Sequence, residues 1–496
     1  MFQFKNTFKM KRRRVAIEEE ISLLQILSHD VLKHNDDDEL EIDFFAIFCG
    51  ERASELAQEL KVKRERHYLR QPQEKNPWNS VLWKSYLSAD CDHHQGLSGA
   101  AFLQFRSLFR VPWSCFNWLV QFSCDYFPVG TRDCCDIERA PLELLILGAL
   151  MQFARSGNYT AIAKMTNISS QSHRNFFKRW VSVMRKYLFP MKVVPPKTTE
   201  EVTQSAKHYE ILGLPGAICS TDVTHIRLWN CPSSYKNVST GKEGFPSRAF
   251  EVSVDFTRRI LHATEGFYGS QGDKAIVKYD KFINDLAKGD IGKDYVWKVY
   301  DKNGAIKEFH GNLYSICDGG YLNWPCLVCP VKLTSNKDLT VWSKWLETVR
   351  KDCECTFGIL KKRFEILRYG FTCYSFEEMD DIFLTLCALH NLLLEFNSED
   401  DDYTTECEIN ASAVIGTMIT ERRAAYAAAA EANEDIAHPS EFQPSSDESG
   451  TLAQRRLMLV EHFTYMYLNN KLKWLKRRPM ESGVAMSEQY ASSAIQ

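Results

Sequence analysis

Three acidic residues of the central region occupy positions where a carboxylate is unusual. Asp222 lies inside an apolar run at 217–226, where burying its charge is costly unless a cation accompanies it. Asp318 ends the apolar run 313–317 and is followed by two glycines, which let backbone approach closely. Glu354 lies on a long helical pattern, at the edge of its apolar stripe and directed toward the predicted sheet. Each placement puts a carboxylate where it could bind a cation or take part in a reaction.

Three carboxylates that converge at one sheet edge repel one another unless cations neutralise them. Ligands that are all oxygen suit Mg²⁺ or Mn²⁺. Two such divalent cations, about 4 Å apart, activate a water or a 3′-hydroxyl and stabilise the leaving oxygen in phosphodiester cleavage. The alternative is that each acid is a solvated or capping residue, as most of the 64 Asp and Glu residues are expected to be.

The elements around these acids predict an α/β domain over residues 205–396. Short apolar runs rich in β-forming residues predict strands at 217–226, 249–256, 260–267, 313–317 and 326–329. Helical patterns at 274–287, 339–364 and 377–396 lie between or after them. The first three strands follow closely, as in an antiparallel meander, and the later ones follow helices, as parallel crossovers require. This order is that of a ribonuclease-H-like mixed sheet flanked by helices.

Residues 76–204 predict an all-α region with a helix-turn-helix-like motif. Two short helical patterns meet at a tight turn near Asn167, and Ser169 and Ser170 open the second one. Residues 141–190 carry seven basic side chains against one acidic, a surplus that favours phosphate contact. Arg174 and Lys178 of the second helix are the candidate DNA contacts. An ordinary helical bundle with a solvated basic face is the alternative.

The two ends of the chain differ from its centre in composition. Residues 1–75 combine a basic run at 11–14 with an acidic cluster at 36–39, and they predict a charged N-terminal arm. Residues 397–496 carry an acidic run, an alanine-rich stretch at 424–432 and Pro-Ser pairs, which together predict a linker. A basic C-terminal helix is predicted at 455–476. Both basic clusters are either solvated tails or nuclear-import signals.

Composition excludes several classes of protein. With 44% hydrophobic and 12% aromatic residues, the chain can bury cores and is neither disordered nor collagen-like. No run of 18 apolar residues is present, so no membrane span is expected. The N-terminus lacks the apolar segment of a secretory signal, and the sixteen cysteines are irregularly spaced. An intracellular protein without a disulfide framework is therefore expected.

An ordered series of motifs resembles the PIF/Harbinger transposases, a branch of the DDE superfamily, and their host-derived nuclease relatives. The series is PGAICSTDVTHI at 215–226, GSQGD at 269–273, CDGGY at 317–321, RKDCECTFGILKKRF at 350–364 and ALHN at 388–391. Thirty-five residues separate Asp318 from Glu354, a spacing common in DDE enzymes. FRSLFRVP at 105–112 and the helix-turn-helix candidate are also similar to this family. The likeness covers residues 95–396.

The resemblance implies that Asp222, Asp318 and Glu354 are the metal-binding and catalytic triad of a ribonuclease-H-like nuclease. It implies double-stranded DNA as the substrate, a nuclear location and often a separate Myb-like DNA-binding protein as partner; a homo-oligomer is a further expected assembly. Arg350 and Lys361 would face the DNA backbone or the edge of the active site.

Two other residues within these motifs have two readings each. His225 lies either near the metals and DNA or in an ordinary strand hydrogen bond. Asp273 is interpreted as a helix cap rather than a ligand.

The sequence thus predicts a DDE-type DNA endonuclease or transposase with two divalent cations, Mg²⁺ or Mn²⁺. Val223 stands where the family often has Gly, and Cys353 and Cys355 stand where Val and Arg are commoner. Neither change removes a ligand. The alternatives are a catalytically silent, domesticated transposase that binds DNA or a protein in the nucleus, and a ribonuclease on the same fold.

Overall fold

A computed structural model describes residues 76–91, 99–128, 139–331, 334–396, 406–432 and 450–472. Its helical N-terminal region is followed by a mixed sheet with flanking helices, so the predicted fold class is confirmed. The predicted arm at 1–75 lies outside the described residues, as do the acidic run at 399–402 and the basic cluster at 476–478.

The N-terminal region is helical throughout its described part. Its helices are Gly99–Phe109 (α1), Trp113–Cys124 (α2), Leu142–Arg155 (α3), Tyr159–Thr166 (α4), Ser170–Val183 (α5), Phe189–Lys192 (α6) and Thr199–Ile211 (α7). Shorter helical turns of this region are Pro77–Asn79, Trp83–Leu87 and Met184–Leu188; a further one, Val277–Tyr279, lies in the central domain. The large apolar side chains of α1 to α6 share one core cluster with one face of the sheet and with the helices behind it, whereas those of α7 belong to two other clusters.

Helices α4 and α5 form the predicted helix-turn-helix. Asn167 ends α4 with a left-handed φ of 55°, a conformation that Asn tolerates. The Ser169 hydroxyl accepts a hydrogen bond from the Ser172 amide at 3.0 Å and caps α5. The buried Thr166 hydroxyl and the His173 Nε2 lie 2.7 Å apart and join the two helices. The local geometry therefore agrees with the sequence pattern.

The central sheet has the predicted mixed topology. Its strands are Ala217–Arg227 (β1), Ser247–Val254 (β2), Ile260–Ala263 (β3), Phe267–Tyr268 (β4), Tyr314–Ile316 (β7) and Leu327–Val328 (β8). The order is β3-β2-β1-β7-β8, with β4 paired to β2. β1, β2 and β3 pair antiparallel, whereas β7 and β8 continue the sheet in parallel from β1. The parallel half places the carboxyl end of β7 beside the middle of β1.

Two features of this domain differ from the sequence-based expectation. A separate hairpin of Val296–Tyr300 (β5) and Ile306–His310 (β6) was not predicted; its second strand is largely exposed and carries little apolar signal. The predicted helix at 274–287 is interrupted. It consists of Asp273–Ile276 (α9) and Lys281–Ala287 (α10), because the Asp280 side chain accepts from the Ile283 amide and caps a new helix. A further helix, Ser233–Ser239 (α8), follows β1.

The long helix after the sheet carries one of the candidate acids. It spans Lys337–Arg363 (α11) and is followed by Glu365–Tyr369 (α12) and Phe376–Phe396 (α13). The predicted core stripe of α11 is buried at every position: Trp342, Leu346, Val349, Cys353, Leu360 and Phe364, which lies just past its end. Asn391 of α13 exchanges hydrogen bonds with the backbone N–H and C=O of Ile260, which ties α13 to the start of β3.

The predicted linker contains a helix, which corrects the interpretation of its alanine-rich part. Residues Glu406–Ala432 (α14) and Gly450–Leu468 (α15) are helical, so the predicted C-terminal helix begins earlier than residue 455 and ends at Leu468. The buried Asp338 in the first turn of α11 accepts hydrogen bonds from Arg422 at 2.7 and 2.9 Å. Tyr426 and Tyr467 donate to the same carboxylate at 2.6 Å. These bonds attach both helices to α11.

Across the described part of the chain, we find no helix that combines the length and the apolar character needed to cross a membrane.

Candidate active site

Asp222 lies in the middle of β1, the central strand of the sheet. It pairs with Val252 of β2 on one side, and on the other side the pairing of β1 with the parallel strand β7 ends two residues earlier, at Ser220. Its side chain is 18% exposed. One carboxylate oxygen accepts from the Val223 amide at 2.8 Å, and the other accepts from Arg350 Nη1 at 2.9 Å. The strand thus presents a fixed and largely dehydrated carboxylate.

Asp318 follows β7 at its carboxyl end, where parallel strands of an open sheet present ligand-binding residues. Its Oδ1 accepts from the Gly320 amide at 2.8 Å. A Cβ atom at position 320 would lie 2.9 Å from Asp318 Oδ1 and 2.9 Å from Asp273 Oδ2. A side chain at position 320 would therefore intrude between two carboxylates, which explains the need for glycine there.

Glu354 lies on α11, one turn after Arg350. The Arg350 guanidinium donates one nitrogen to Asp222 and the other to Glu354, so it bridges the first and the third candidate acid. The Arg350 side chain is buried, whereas that of Glu354 remains 47% exposed. Glu354 is thus more accessible to solvent than its position beside the apolar stripe suggested. Arg350 lies within the site rather than only at its edge.

The charges of this cluster act on one another. Burial raises the pKa of Asp222 to about 6; Arg350 and the Val223 amide oppose that rise, and the charges of Asp318 and Glu354 add to it. The other two candidate acids, Asp318 and Glu354, therefore lie within electrostatic reach of Asp222. The site carries more negative charge than Arg350 alone neutralises.

Asp273 belongs to the same cluster, and its interpretation as a helix cap is wrong. The residue at the N-cap of α9 is Gly272, and no side chain caps this helix. The Asp273 carboxylate instead lies beside Gly320, next to Asp318. Burial raises its pKa, Lys242 opposes the rise, and Asp318 adds to it. Its place at the start of a short helix was the source of the misassignment.

Glu251 was missed by the sequence analysis. It lies on β2 opposite Val223 and is fully buried. Burial raises its pKa well above the usual value; Asp280, Asp273 and Asp222 add to that rise, and the Tyr321 hydroxyl opposes it. An acid inside an apolar strand was the signal that drew attention to Asp222, and the same signal was present at Glu251.

His225 lies further along β1 from Asp222, and Lys361, two turns after Glu354 on α11, reaches the same part of the strand. His225 Nδ1 is 3.1 Å from the Ser247 hydroxyl, as the strand hydrogen-bond interpretation expects, and burial lowers its pKa. Asp273 also acts on the pKa of His225, so the ring lies near the acidic cluster as well. Lys361 Nζ is 3.5 Å from the His225 carbonyl oxygen, and burial lowers its pKa. Both residues therefore lie between Asp222 and the carboxyl end of β1.

Arg174 and Lys178 lie on α5, in the helical region, and not on the elements that carry the acids. The Arg174 guanidinium packs over the Tyr159 ring, 4.9 Å from its centroid. Lys178 Nζ forms an ion pair with Glu378 at 2.8 Å, and its side chain is half-exposed. These two candidate DNA contacts keep a solvent-facing part but are partly engaged within the protein.

The chemistry of this cluster suits a hard divalent cation, since all its candidate ligands are carboxylate oxygens and their charge is under-compensated. Over the described ranges, however, no three His, Cys, Asp or Glu side chains are grouped closely enough to hold a metal ion. Arg350 lies between Asp222 and Glu354, and a cation that binds both must compete with it.

Comparison with protein families matches residues 192–402 to a family described as plant transposon protein. No curated protein and no solved structure matches the chain. The matched segment contains β1, the end of β7 and α11, and therefore every acid of the cluster. The match supports a transposase-related family for this part of the chain.

Proposed function

We propose that the chain is a DDE-type, divalent-metal-dependent DNA endonuclease or transposase of the PIF/Harbinger type. The observation that carries the proposal is that Arg350 bridges Asp222 on β1 and Glu354 on α11, and that Asp318, at the end of β7, and Glu354 both act on the charge of Asp222. The transposase-related match over 192–402 supports it, because transposition requires cleavage of DNA.

In this proposal Asp222, Asp318, Glu354 and the neighbouring Asp273 hold Mg²⁺ or Mn²⁺. Two bound cations would lower the pKa of the attacking water or 3′-hydroxyl and stabilise the leaving oxygen of the phosphodiester. The chain's own contribution is to fix the ligands. β2 pairs with β1 at Asp222, Gly320 admits two carboxylates side by side, and Arg350 orients the first and third acids.

The helical region would hold the DNA. Arg174 and Lys178 on α5 offer positive charge from a helix-turn-helix, a motif that commonly contacts duplex DNA. Contacts of this kind position the duplex through its phosphates and do not by themselves select a sequence. A nuclear location and a Myb-like DNA-binding partner are part of the proposal and rest on the resemblance of the motifs.

One observation favours a second candidate, a transposase-derived protein that binds DNA in the nucleus without cutting it. Arg350 already bridges Asp222 and Glu354 and supplies one positive charge between them, so these two acids are held together without a cation. Thermal melting with added Mn²⁺ separates the two candidates. A cation site should raise the stability by about 2.7 kcal/mol when Mn²⁺ is at 100 times its Kd. A silent site should leave the melting temperature unchanged.

A nicking assay on supercoiled DNA tests the catalytic proposal. The wild type should nick DNA with Mg²⁺ or Mn²⁺ and not with EDTA, whereas Asp222→Ala, Asp318→Asn and Glu354→Gln should each abolish cleavage and leave DNA binding nearly intact. Asp290→Asn is the matched control, because Asp290 is exposed and paired only with Lys293 on the surface. Asp318→Asn protein that cuts at the wild-type rate would refute the assignment. The same assay on an RNA duplex tests the ribonuclease alternative.

A further inference from the structure

An exposed aromatic surface lies where β1 ends. It consists of residues 227–230 and 368–374, here named the Trp229 rim. Trp229 keeps 55% of its surface exposed, and Tyr369 and Tyr374 are also largely exposed. A large aromatic side chain on the surface of a protein commonly marks a binding site. This surface has no role in the chemistry proposed for the acids.

The rim is held rigidly by hydrogen bonds between its two segments. The Trp229 amide donates to the Phe371 carbonyl at 3.0 Å, and the Phe371 amide donates to the Arg227 carbonyl at 2.8 Å. The indole N–H of Trp229 donates to the Tyr369 carbonyl. Gly370 has a φ of 95°, and a Cβ there would lie 2.6 Å from the Arg227 carbonyl oxygen. The close approach of the two segments therefore depends on glycine.

The exposed part of the Trp229 indole offers ring surface to a ligand. Because the indole N–H is already bonded, this surface can stack on another ring but has no hydrogen-bond donor to offer. The Arg227 guanidinium lies 3.9 Å from the indole centroid and covers one side of the ring. The rim residues include two cations, Arg227 and Arg368, and no acid; the acids that act on Cys373, Glu378 and Asp380, are paired with Lys178 and Arg248. The charge of the rim therefore complements a polyanion.

The rim lies between the two regions that the proposed function assigns to DNA. Toward the acids, Lys361 contacts the His225 carbonyl two residues before Arg227. Toward the helix-turn-helix, burial raises the pKa of Cys373 to about 12; Glu378 adds to that rise, and its ion-pair partner Lys178 of α5 opposes it. A DNA strand that passes from α5 to the acids would cross this surface.

We infer that the Trp229 rim binds an unpaired nucleotide of the DNA substrate, with its base stacked on the indole. In a duplex both faces of a base are covered by its neighbours, so only an unpaired or terminal base can stack on a protein ring. The inference rests on the proposed function, since it takes DNA to be the substrate. It adds a contact that distinguishes DNA with separated strands from intact duplex and that does not depend on the base sequence.

The fold also limits the distance between this base and the cut. Trp229 follows Asp222 by seven positions; β1 is extended as far as Arg227 and the chain then turns, so the two residues are at most about 23 Å apart at about 3.3 Å per residue. At about 3.4 Å per nucleotide, the stacked base would lie no more than about seven nucleotides from the reacting phosphate.

Binding in EDTA tests the inference without any need for cleavage. The probes are a blunt DNA duplex and the same duplex with a single-stranded extension, and the proteins are the wild type, Trp229→Ala and Trp229→Phe. Trp229→Ala should bind the extended duplex about 5- to 150-fold more weakly and the blunt duplex as before, because stacking on one base is lost. Trp229→Phe should retain most of the affinity. Tyr279→Ala, at another exposed aromatic residue, is the matched control.

The other outcomes overturn the inference in distinguishable ways. Equal losses on both duplexes would make the rim a contact to the duplex backbone. Unchanged affinity for both would show that the rim does not contact DNA; the proposed function would survive either result. A wild-type chain that binds neither duplex would contradict the proposed function itself.

Discussion

Two buried carboxylates, Asp338 in the first turn of α11 and Asp222 on the strand that faces this helix, occupy opposite electrostatic environments. Burial alone would raise the pKa of Asp338, but hydrogen bonds from Arg422, Tyr426 and Tyr467 outweigh it, and the pKa is lowered. Burial raises the pKa of Asp222 to about 6, because Arg350 compensates it only in part and two further acids lie nearby. Asp338 is therefore a satisfied structural acid, and Asp222 lacks part of the positive charge that it needs.

This difference separates stability from function within one helix. The first turn of α11 uses its acid to bind α14 and α15, which fixes the helix. A later turn of the same helix contributes Arg350 and Glu354 to a cluster that the fold leaves under-neutralised. Unfavourable electrostatics of this kind are commonly concentrated at functional sites.

Asp338→Asn should produce the largest loss of stability. It leaves the Arg422 guanidinium without its charge partner inside the protein, and breaking such a pair costs about 3 to 5 kcal/mol. Urea denaturation measures the free energy of unfolding, with Asp290→Asn as the surface control. A loss below about 1 kcal/mol would mean that the network around Asp338 does not hold α14 and α15 in place.

The pH dependence of stability should have opposite signs for the two acids. Since the pKa of folded Asp222 is about 6, against about 3.9 when unfolded, the folded state binds the proton more tightly, and stability falls as pH rises from 4 to 7. Asp338 has a lowered pKa, so its contribution is complete above about pH 4 and is lost as the solution is acidified below its unfolded pKa.

Asp222→Asn isolates the first of these effects. The free energy of unfolding of the variant minus that of the wild type should increase by about 2 to 3 kcal/mol between pH 4 and pH 7. Urea denaturation at several pH values gives this difference directly. A difference that stays constant over this range would contradict the raised pKa of Asp222.

Arg350→Gln should strengthen cation binding while it weakens the fold. A cation that binds Asp222 and Glu354 must displace charge-assisted hydrogen bonds from Arg350, so their removal should lower the Kd for Mn²⁺ about tenfold. Isothermal titration calorimetry on the folded variant measures this Kd. Lys344→Gln makes the same charge change at an exposed position of α11. An unchanged or weaker affinity in Arg350→Gln would show that the arginine does not compete with the cation.

Arg174→Gln should have the smallest effect. If Arg174 contacts one phosphate, its loss reduces the slope of log K against log salt concentration by about one and weakens binding alike for all sequences. Fluorescence anisotropy with duplex DNA at several salt concentrations measures the slope. Lys288→Gln, an exposed lysine outside the helical region, should leave the slope unchanged. Equal slopes for wild type and Arg174→Gln would remove α5 from the DNA interface.

Regular patterns made the acid-bearing elements predictable. β1 and α11 carry long apolar signals, so the strand of Asp222 and the helix of Glu354 were found to within a few residues. The end of β7 was found because an acid and two glycines follow an apolar run. These signals are local, and they place each acid on its element without any knowledge of its neighbours.

Contacts between distant residues were not predictable in the same way. The bonds from Arg422 and Tyr467 to Asp338 join positions far apart in the sequence, and the alanine-rich composition around Arg422 indicated a linker. Arg350 was expected near the site, but its bridge between Asp222 and Glu354 depends on the distance between α11 and β1. Asp273 was misassigned as a cap because it stands at the first residue of a short helix, where an acid commonly caps.

The central claim, that these acids form a divalent-cation site, is tested most directly by titrating Mn²⁺ into wild-type and Asp318→Asn protein in the calorimeter, without DNA. The account predicts a saturable binding heat for the wild type and an affinity at least about tenfold weaker for the variant. A wild type that takes up no Mn²⁺, or a variant that binds it equally well, would contradict the account.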